Sequence, residues 1–394
     1  MELMELMKLM EDWNGYVSAS DIQRPEGYER RLVEVIDLLS NSKGLPAYKH
    51  EYLLREALTT SDFPHLFGDV LDRQMLAAYK ATPPVWQPYT KLSTVPRIAP
   101  QVGGYRFAMR GGDEHLDIVA EKGEYLASDR NADRYALSVN KYGRQFDISW
   151  EAIINDDLSA LQDTPVRFAM AAQRTEHRVV VNMYAYDLAG GIAHVVGGPL
   201  YSTLAAELNE TAALLTIANL ETALEVMAGR TDAAGEPIYC RAKYLVVPPA
   251  LEMTARQILT SATKMWLAGA TTIAGAPDVP YPTTNVVSQY GLQLIVDPYL
   301  PAAATANGSA ASQNSQWYLF ADPNDIRVLE AAHLAGHERP EICMKASDKE
   351  SVGGGAIGPM GGDFATDNIF YRVRLIFGAT TLDWRGSYMG GSIG

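Results

Sequence analysis

The stretch from Gly103 to about Leu188 constrains this chain most: two charge-dense, strand-like runs joined by a polar tip lead straight into a long helix. The first run, Tyr105 to Met109, is followed by Gly111-Gly112 and the acidic stretch Asp113 to Asp117. The second, Arg134 to Trp150, alternates over part of its length, through Tyr135, Leu137 and Val139 and then Phe146 and Ile148. Between them, Glu121 to Asp133 is almost wholly polar. Alternation this weak leaves the strands little core, and a lone two-stranded ribbon is marginal in water. Such a hairpin needs a surface to lie on, and where its own domain offers none, a neighbouring subunit must. The expectation is an assembly protein rather than a self-contained enzyme.

Composition narrows the field. At 394 residues the chain is long enough for two or three domains with real cores. An apolar fraction of 47% is ordinary for a globular protein. The formal net charge of -14 disfavours a general nucleic-acid binder, which would carry a basic stripe, and an acidic surface would keep packed DNA from sticking to it. With only Cys240 and Cys343, no disulfide scaffold is expected, and a reducing compartment fits. The opening Met1 to Met10 carries two glutamates and a lysine. It places Leu3, Leu6, Met7 and Met10 on one helical face, an amphipathic helix rather than a signal peptide. No apolar run approaches the roughly 20 residues that span a bilayer, so a soluble chain with no membrane partner is expected.

The first hundred residues read as helices on extended linkers. Pro25 begins a helix with Tyr28, Leu32, Val35, Ile36 and Leu39, and Ser61-Asp62 caps another with Phe63, Leu66, Phe67, Val70 and Leu71. Pro83-Pro84, Pro88, Pro96 and Pro100 then keep the chain extended. After the hairpin, Asp156-Asp157 opens the long helix, whose narrow stripe is Leu158, Leu161, Pro165, Phe168, Ala172, Val179 and Met183. Pro165 should kink or restart it. A coiled coil is one reading of that spacing, and a helix laid across a sheet is the other. From Leu214 the pattern turns α/β. A helix through Leu214, Ile217, Leu220, Leu224 and Met227 stops before Gly229, and a strand covers Tyr244 to Val247. A helix runs from Leu251 to Ser261, and strands cover Leu292 to Val296 and Trp317 to Phe320. Gly269 to Thr284 and Ala302 to Ser315 read as loops, Ile369 to Phe377 as a strong strand, and Thr380 to Trp384 as a further short one.

No motif carries convincing chemistry. Gly353-Gly-Gly355-Ala-Ile-Gly358 has the spacing of a dinucleotide loop but lacks the strand before it and the helix after it. His333 and His337 stand four apart, yet Leu334 occupies the position where a zinc protease needs glutamate. Ser261-Ala-Thr-Lys264 and Ser40-Asn-Ser-Lys43 match a pattern loose enough to occur twice by chance, without its companion elements. No catalytic residue, metal or cofactor is therefore expected.

The order of parts resembles that of the HK97-fold major capsid proteins of tailed phages. Val119-Ala-Glu121 to Ser128-Asp129, then Ser149-Trp-Glu-Ala-Ile-Ile-Asn-Asp-Asp157, is similar to that family's junction of hairpin and spine helix. Glu56-Ala-Leu-Thr-Thr-Ser-Asp-Phe-Pro64 resembles the arm of the branch that includes Mu-like major head subunits. The resemblance implies an α+β fold with an N-terminal arm (1–101), an extended hairpin or E-loop (102–150), and a spine helix opening the peripheral domain (151–212). An axial domain (213–340) and a return to the peripheral domain (341–394) would follow. It further implies hexamers and pentamers in an icosahedral shell around double-stranded DNA, located in the virion and assembled in the host cytoplasm. Scaffold, protease, portal and decoration proteins are the partners it suggests.

On that reading the Gly269 to Thr284 loop sits near the capsomer centre and the hairpin tip lies over an adjacent subunit. Alternating signs at the tip (Glu121, Lys122, Glu124, Asp129, Arg130, Asp133, Arg134) suit intersubunit ion pairs, each worth about 0–1 kcal/mol. A solvated charged loop is the alternative. Leu6 and Met7 would bury their face under a neighbour. Where some members carry a cross-linking lysine just before the Ser-Asp step, this chain has Tyr125-Leu126-Ala127, with Lys122 the nearest lysine, so a shell held without covalent links is expected. The chain begins at Met1, which favours an untrimmed arm. An encapsulin-like compartment enclosing enzymes is the nearest alternative and a cytosolic α/β enzyme a remote one; the long arm favours the virus.

Overall fold

The computed structural model describes residues 75–81, 84–96, 105–110, 131–149, 158–185, 200–201, 208–231, 235–266, 281–307, 313–350, 352–353 and 362–391. The two arm helices, the amphipathic face of Leu3, Leu6, Met7 and Met10, and most of the Gly269 to Thr284 and Gly353 to Gly358 loops lie outside them. The chain divides into two compact units. The first is drawn from Met1–Thr82, Lys141–Gln173 and Arg339–Leu375, the second from Pro83–Asn140, Arg174–Glu338 and Ile376–Gly394.

The second unit is organised by a five-stranded sheet in the order β5-β14-β10-β6-β9. Its strands are β5 (Glu210–Thr211), β6 (Ala242–Val247), β9 (Gln293–Val296), β10 (Trp317–Ala321) and β14 (Ser387–Gly390). β10 is antiparallel to β6 and β14, whereas β6 runs parallel to β9 and β14 parallel to β5. Every residue of β10 is buried, which is why Trp-Tyr-Leu-Phe-Ala reads as an unbroken apolar run. Helix α2 (Ile217–Ala228) brings Leu220, Ala223, Leu224 and Met227 onto one buried face, and α3 (Glu252–Thr260) adds Ala255 and Ile258. Thr216 caps α2 by accepting a bond from the Asn219 N–H (3.2 Å), and Gly229 follows its end as the sequence predicts.

A further strand, β1 (Lys91–Val95), lies parallel to β11 (Leu329–Leu334), which is antiparallel to the Phe377–Thr381 end of β13 (Asn368–Thr381). Val95, Leu137, Val139, Ala332, Leu334 and Ile376 form its core. A Cβ at Gly378 would sit 2.0 Å from the Ser138 carbonyl oxygen, so the chain passes this closely only because the residue is glycine.

In the first unit, β12 (Glu341–Met344) pairs antiparallel with Tyr371–Arg374 of β13, and β4 (Asn140–Ser149) also pairs with β13. Phe146 of β4 stacks on Phe168 (4.8 Å) and on Tyr371 (5.1 Å). Met75, Ala169 and Val373 are buried there beside Ala78, Tyr79 and Ile342.

Several expectations are corrected. The second hairpin run is two strands, β3 (Asn131–Ala136) and β4, because Leu137 and Val139 turn into a core and interrupt the ladder. Helix α1 (Leu158–Asn182) runs through Pro165 unbroken; one lost backbone bond is tolerated within 25 helical residues. The Ala302 to Ser315 stretch is not all loop. After the short α4 (Val287–Tyr290), α5 (Leu300–Ala306) runs into it, with Pro301 in its first turn and Ala303 and Ala304 buried. Thr380 and Thr381 continue β13 rather than starting a new strand. Tyr281–Thr284, read as loop, is strand β8, paired with β7 (Thr263–Trp266).

Candidate functional site

The residues singled out as an assembly surface centre on the hairpin. Its backbone is a two-stranded ribbon: β2 (Tyr105–Arg110) pairs antiparallel with β3, from Tyr105 opposite Ala136 to Arg110 opposite Asn131. Among the described residues this ribbon joins no other sheet. Asp133 sits in register with Ala108 and Arg134 with Phe107, so two of the singled-out charges belong to the strands, not to the tip. Glu121, Lys122, Glu124, Asp129, Arg130, Leu6 and Met7 lie outside the described residues.

The helix that follows is anchored in the second unit by a buried polar network that sequence reading missed. Asp297, fully buried at the end of β9, accepts at Oδ2 from His177 Nε2 (2.8 Å) and from the Tyr184 hydroxyl (3.3 Å). Its Oδ1 accepts from the Tyr299 N–H at 2.8 Å. The Tyr89 hydroxyl meets that of Tyr184 at 3.1 Å. Burial, reinforced by the Asp297 charge, pushes both phenols well above their usual range, so they stay neutral donors. Around them Tyr89 stacks on Phe320 (5.1 Å), and Tyr184 meets Tyr318 and Phe320 edge-on, each at 5.2 Å. The network locks a helix to a sheet.

Other polar groups are similarly committed to structure. Arg230 Nη2 donates to the Leu208 and Ser387 carbonyls (3.3 and 3.2 Å), and burial brings its guanidinium down to about 10. Burial likewise pushes the Cys240 thiol up to about 11, which keeps it unreactive. Lys264, from the Ser-x-x-Lys match, pairs with Glu221 of α2 at 2.6 Å. His333 lies buried on β11 opposite Phe377, and His337 falls in the turn that follows, so the pair does not share a helix. Among the described residues no group of three His, Cys, Asp or Glu could hold a metal, and no helix is long and apolar enough to cross a membrane.

Comparison with known proteins identifies the class. A family profile described as "Phage capsid protein" matches residues 134–389, more than half of the chain. The chain belongs to that family. It is a major capsid protein with an α+β capsid fold, a structural component that works as an oligomeric shell and has its place in the virion. A comparison with curated proteins gives no match. Among solved structures, it is similar to a chain from Gordonia phage Cozz, at 16% identity and a TM-score of 0.44, covering 77% of this chain and 84% of that one. The Cyanophage Pam1 capsid asymmetric unit is similar at 14% identity and 0.43, covering 78% and 90%. The holo-SrpI encapsulin complex of Synechococcus elongatus PCC 7942 gives 11% identity and 0.42, covering 81% and 95%.

Proposed function

We propose that this chain is the HK97-type major head subunit of a tailed phage, in the branch that includes Mu-like head subunits. It builds hexamers and pentamers of an icosahedral shell around double-stranded DNA. The observation that carries this reading is the ribbon: β2 and β3 pair only with each other among the described residues, ahead of β4 and the long helix. A ribbon of two strands is too small to be stable alone, and a neighbouring subunit supplies the missing surface. Residues 102–150 are then the extended hairpin, 151–212 and 341–394 the peripheral domain, 213–340 the axial domain and 1–101 the arm. Glu121, Lys122, Glu124, Asp129, Arg130, Asp133 and Arg134 form ion pairs across the subunit boundary, and Leu6 and Met7 bury under a neighbour. The net charge of -14 lets DNA pack inside without adhering. The subunit carries out no catalysis and needs no cofactor. Scaffold, protease, portal and decoration proteins are its partners, and assembly takes place in the bacterial host.

Expression of the chain, alone and with its scaffold and protease, followed by electron microscopy, tests the shell directly. Closed particles are expected, and dispersed subunits in every condition would overturn the reading. Boiled particles should run as monomers on a denaturing gel, since no lysine lies between Lys122 and the Ser128-Asp129 step. Replacing Leu6 and Met7 by aspartate should lower particle yield or heat resistance and leave the subunit folded. Particles that melt as before would remove the arm from the interface.

A further inference from the structure

Phe364 is 80% exposed, yet the described residues on either side of it are tied by hydrogen bonds to residues 345–349. Its N–H donates to Asp348 Oδ1 (2.8 Å), Ser347 Oγ donates to the Gly362 carbonyl (2.8 Å) and Lys345 Nζ pairs with Asp363 (3.0 Å). Lys349 pairs with Asp367, which holds a left-handed φ of 55°. An exposed aromatic side chain on a hydrogen-bonded segment loses little further entropy on binding and is the kind of residue that anchors interfaces. The loop from Lys345 to Asp367 carries four carboxylates (Asp348, Glu350, Asp363, Asp367) against two lysines (Lys345, Lys349), a net charge of -2.

Helix α1 offers the opposite surface. Val166 and Met170, one turn apart, are 38% and 46% exposed, while the neighbouring Ala169 and Ala172 are buried. Arg167 and Arg174 flank them, exposed, and no ion pair joins either to another described residue. One patch is an aromatic knob with an acidic rim, the other an apolar shelf with a basic rim. No other described residue covers either patch.

We propose that Phe364 of one subunit seats on the Val166 and Met170 face of α1 in a second copy, with Arg167 and Arg174 facing the acidic rim of the Phe364 loop. The inference rests on the shell reading above. Two different, complementary patches make a heterologous contact, which propagates from copy to copy around a ring or shell, whereas a self-paired patch stops at a dimer. The matched signs fix orientation more than they add affinity.

Cysteine cross-linking in assembled particles tests the contact. The double variant Phe364→Cys with Met170→Cys, oxidised with copper phenanthroline, should give a ladder of multimers on a non-reducing gel, and each single variant should stay monomeric. Intact particles of the double variant without a ladder would overturn the proposal. So would an intrachain disulfide, or dimers from Phe364→Cys alone. Ala365→Cys with Ala171→Cys, both at exposed small residues, serves if the first pair does not assemble. A cryo-EM map of unmodified particles gives an independent reading: Phe364 is expected within roughly 4.5 Å of Met170 of another copy, and separation beyond contact overturns the proposal. Particles without this contact defeat only the inference, whereas unmodified protein that never forms particles defeats the shell itself.

Discussion

The five-stranded sheet of the second unit and the ribbon β2–β3 are built from the same kind of ladder, yet their stability has different sources. In the sheet, β10 is paired on both sides and every one of its residues is buried, with Trp317, Tyr318, Leu319 and Phe320 at 0% exposure. In the ribbon, each strand pairs with one partner only among the described residues, and the segment between them is dominated by charged and polar residues. Burying an apolar side chain of that size is worth about 1.5–3 kcal/mol, so the sheet makes its own stability, whereas a lone two-stranded ribbon is marginal in water. On the function proposed above, one region belongs to the subunit and the other to the assembly. Substitutions should separate the two.

The largest effect on the subunit is expected from Asp297→Ala. It leaves His177, Tyr184 and the Tyr299 N–H without their buried acceptor, at a cost of roughly 3–5 kcal/mol read by chemical denaturation. Stability within about 1 kcal/mol of wild type would show that the network is not what holds α1 to the sheet. Gly378→Ala follows. Its Cβ would press on the Ser138 carbonyl 2.0 Å away, for a loss of about 3 kcal/mol. An unchanged midpoint would mean that the crossing relaxes freely.

A smaller effect concerns pH. Burial holds the His333 imidazole below its usual range, so the folded state favours the neutral ring. This stabilisation is complete above the unfolded-state value near 6.5 and is lost as the pH falls through the lower folded value. Wild type should therefore weaken on acidification from about pH 6.5, and His333→Gln should flatten that part of the stability curve. A parallel slope in both proteins would remove His333 as its cause. The smallest expected effect is that of deleting residues 121–130. The subunit's denaturation midpoint should stay within the error of measurement, while closed particles disappear from micrographs.

Much of the fold was legible because local pattern and tertiary burial agreed. The apolar positions of α2 repeat at helical spacing between Thr216 and Gly229, and Tyr-Leu-Val-Val and Trp-Tyr-Leu-Phe are buried strands with no polar face to hide. Where signals conflicted, reading failed. The prolines around β1 outweighed Leu92 and Val95, and the Ala-rich start of α5 was taken for low complexity although its small residues are what lets Ala303 and Ala304 pack. The network of Tyr89, His177, Tyr184 and Asp297 had no local signature, since its members come from three distant stretches of the chain and Asp297 stood out only as a strand terminator before proline. The hairpin was visible for a different reason: two strand-like runs flank a polar segment, and they pair as β2 and β3. Its pairing register was not visible, because alternation this weak does not fix one.

Hydrogen exchange, compared between free subunits and assembled particles, tests that division most directly. In free subunits the amides of β6 and β10 should be protected close to the global limit, while those of Tyr105–Arg110 and Asn131–Ala136 exchange rapidly. In particles the ribbon amides should slow by orders of magnitude and those of β10 should change little. Ribbon amides that are already protected in the free subunit to the level of β10 would contradict the account.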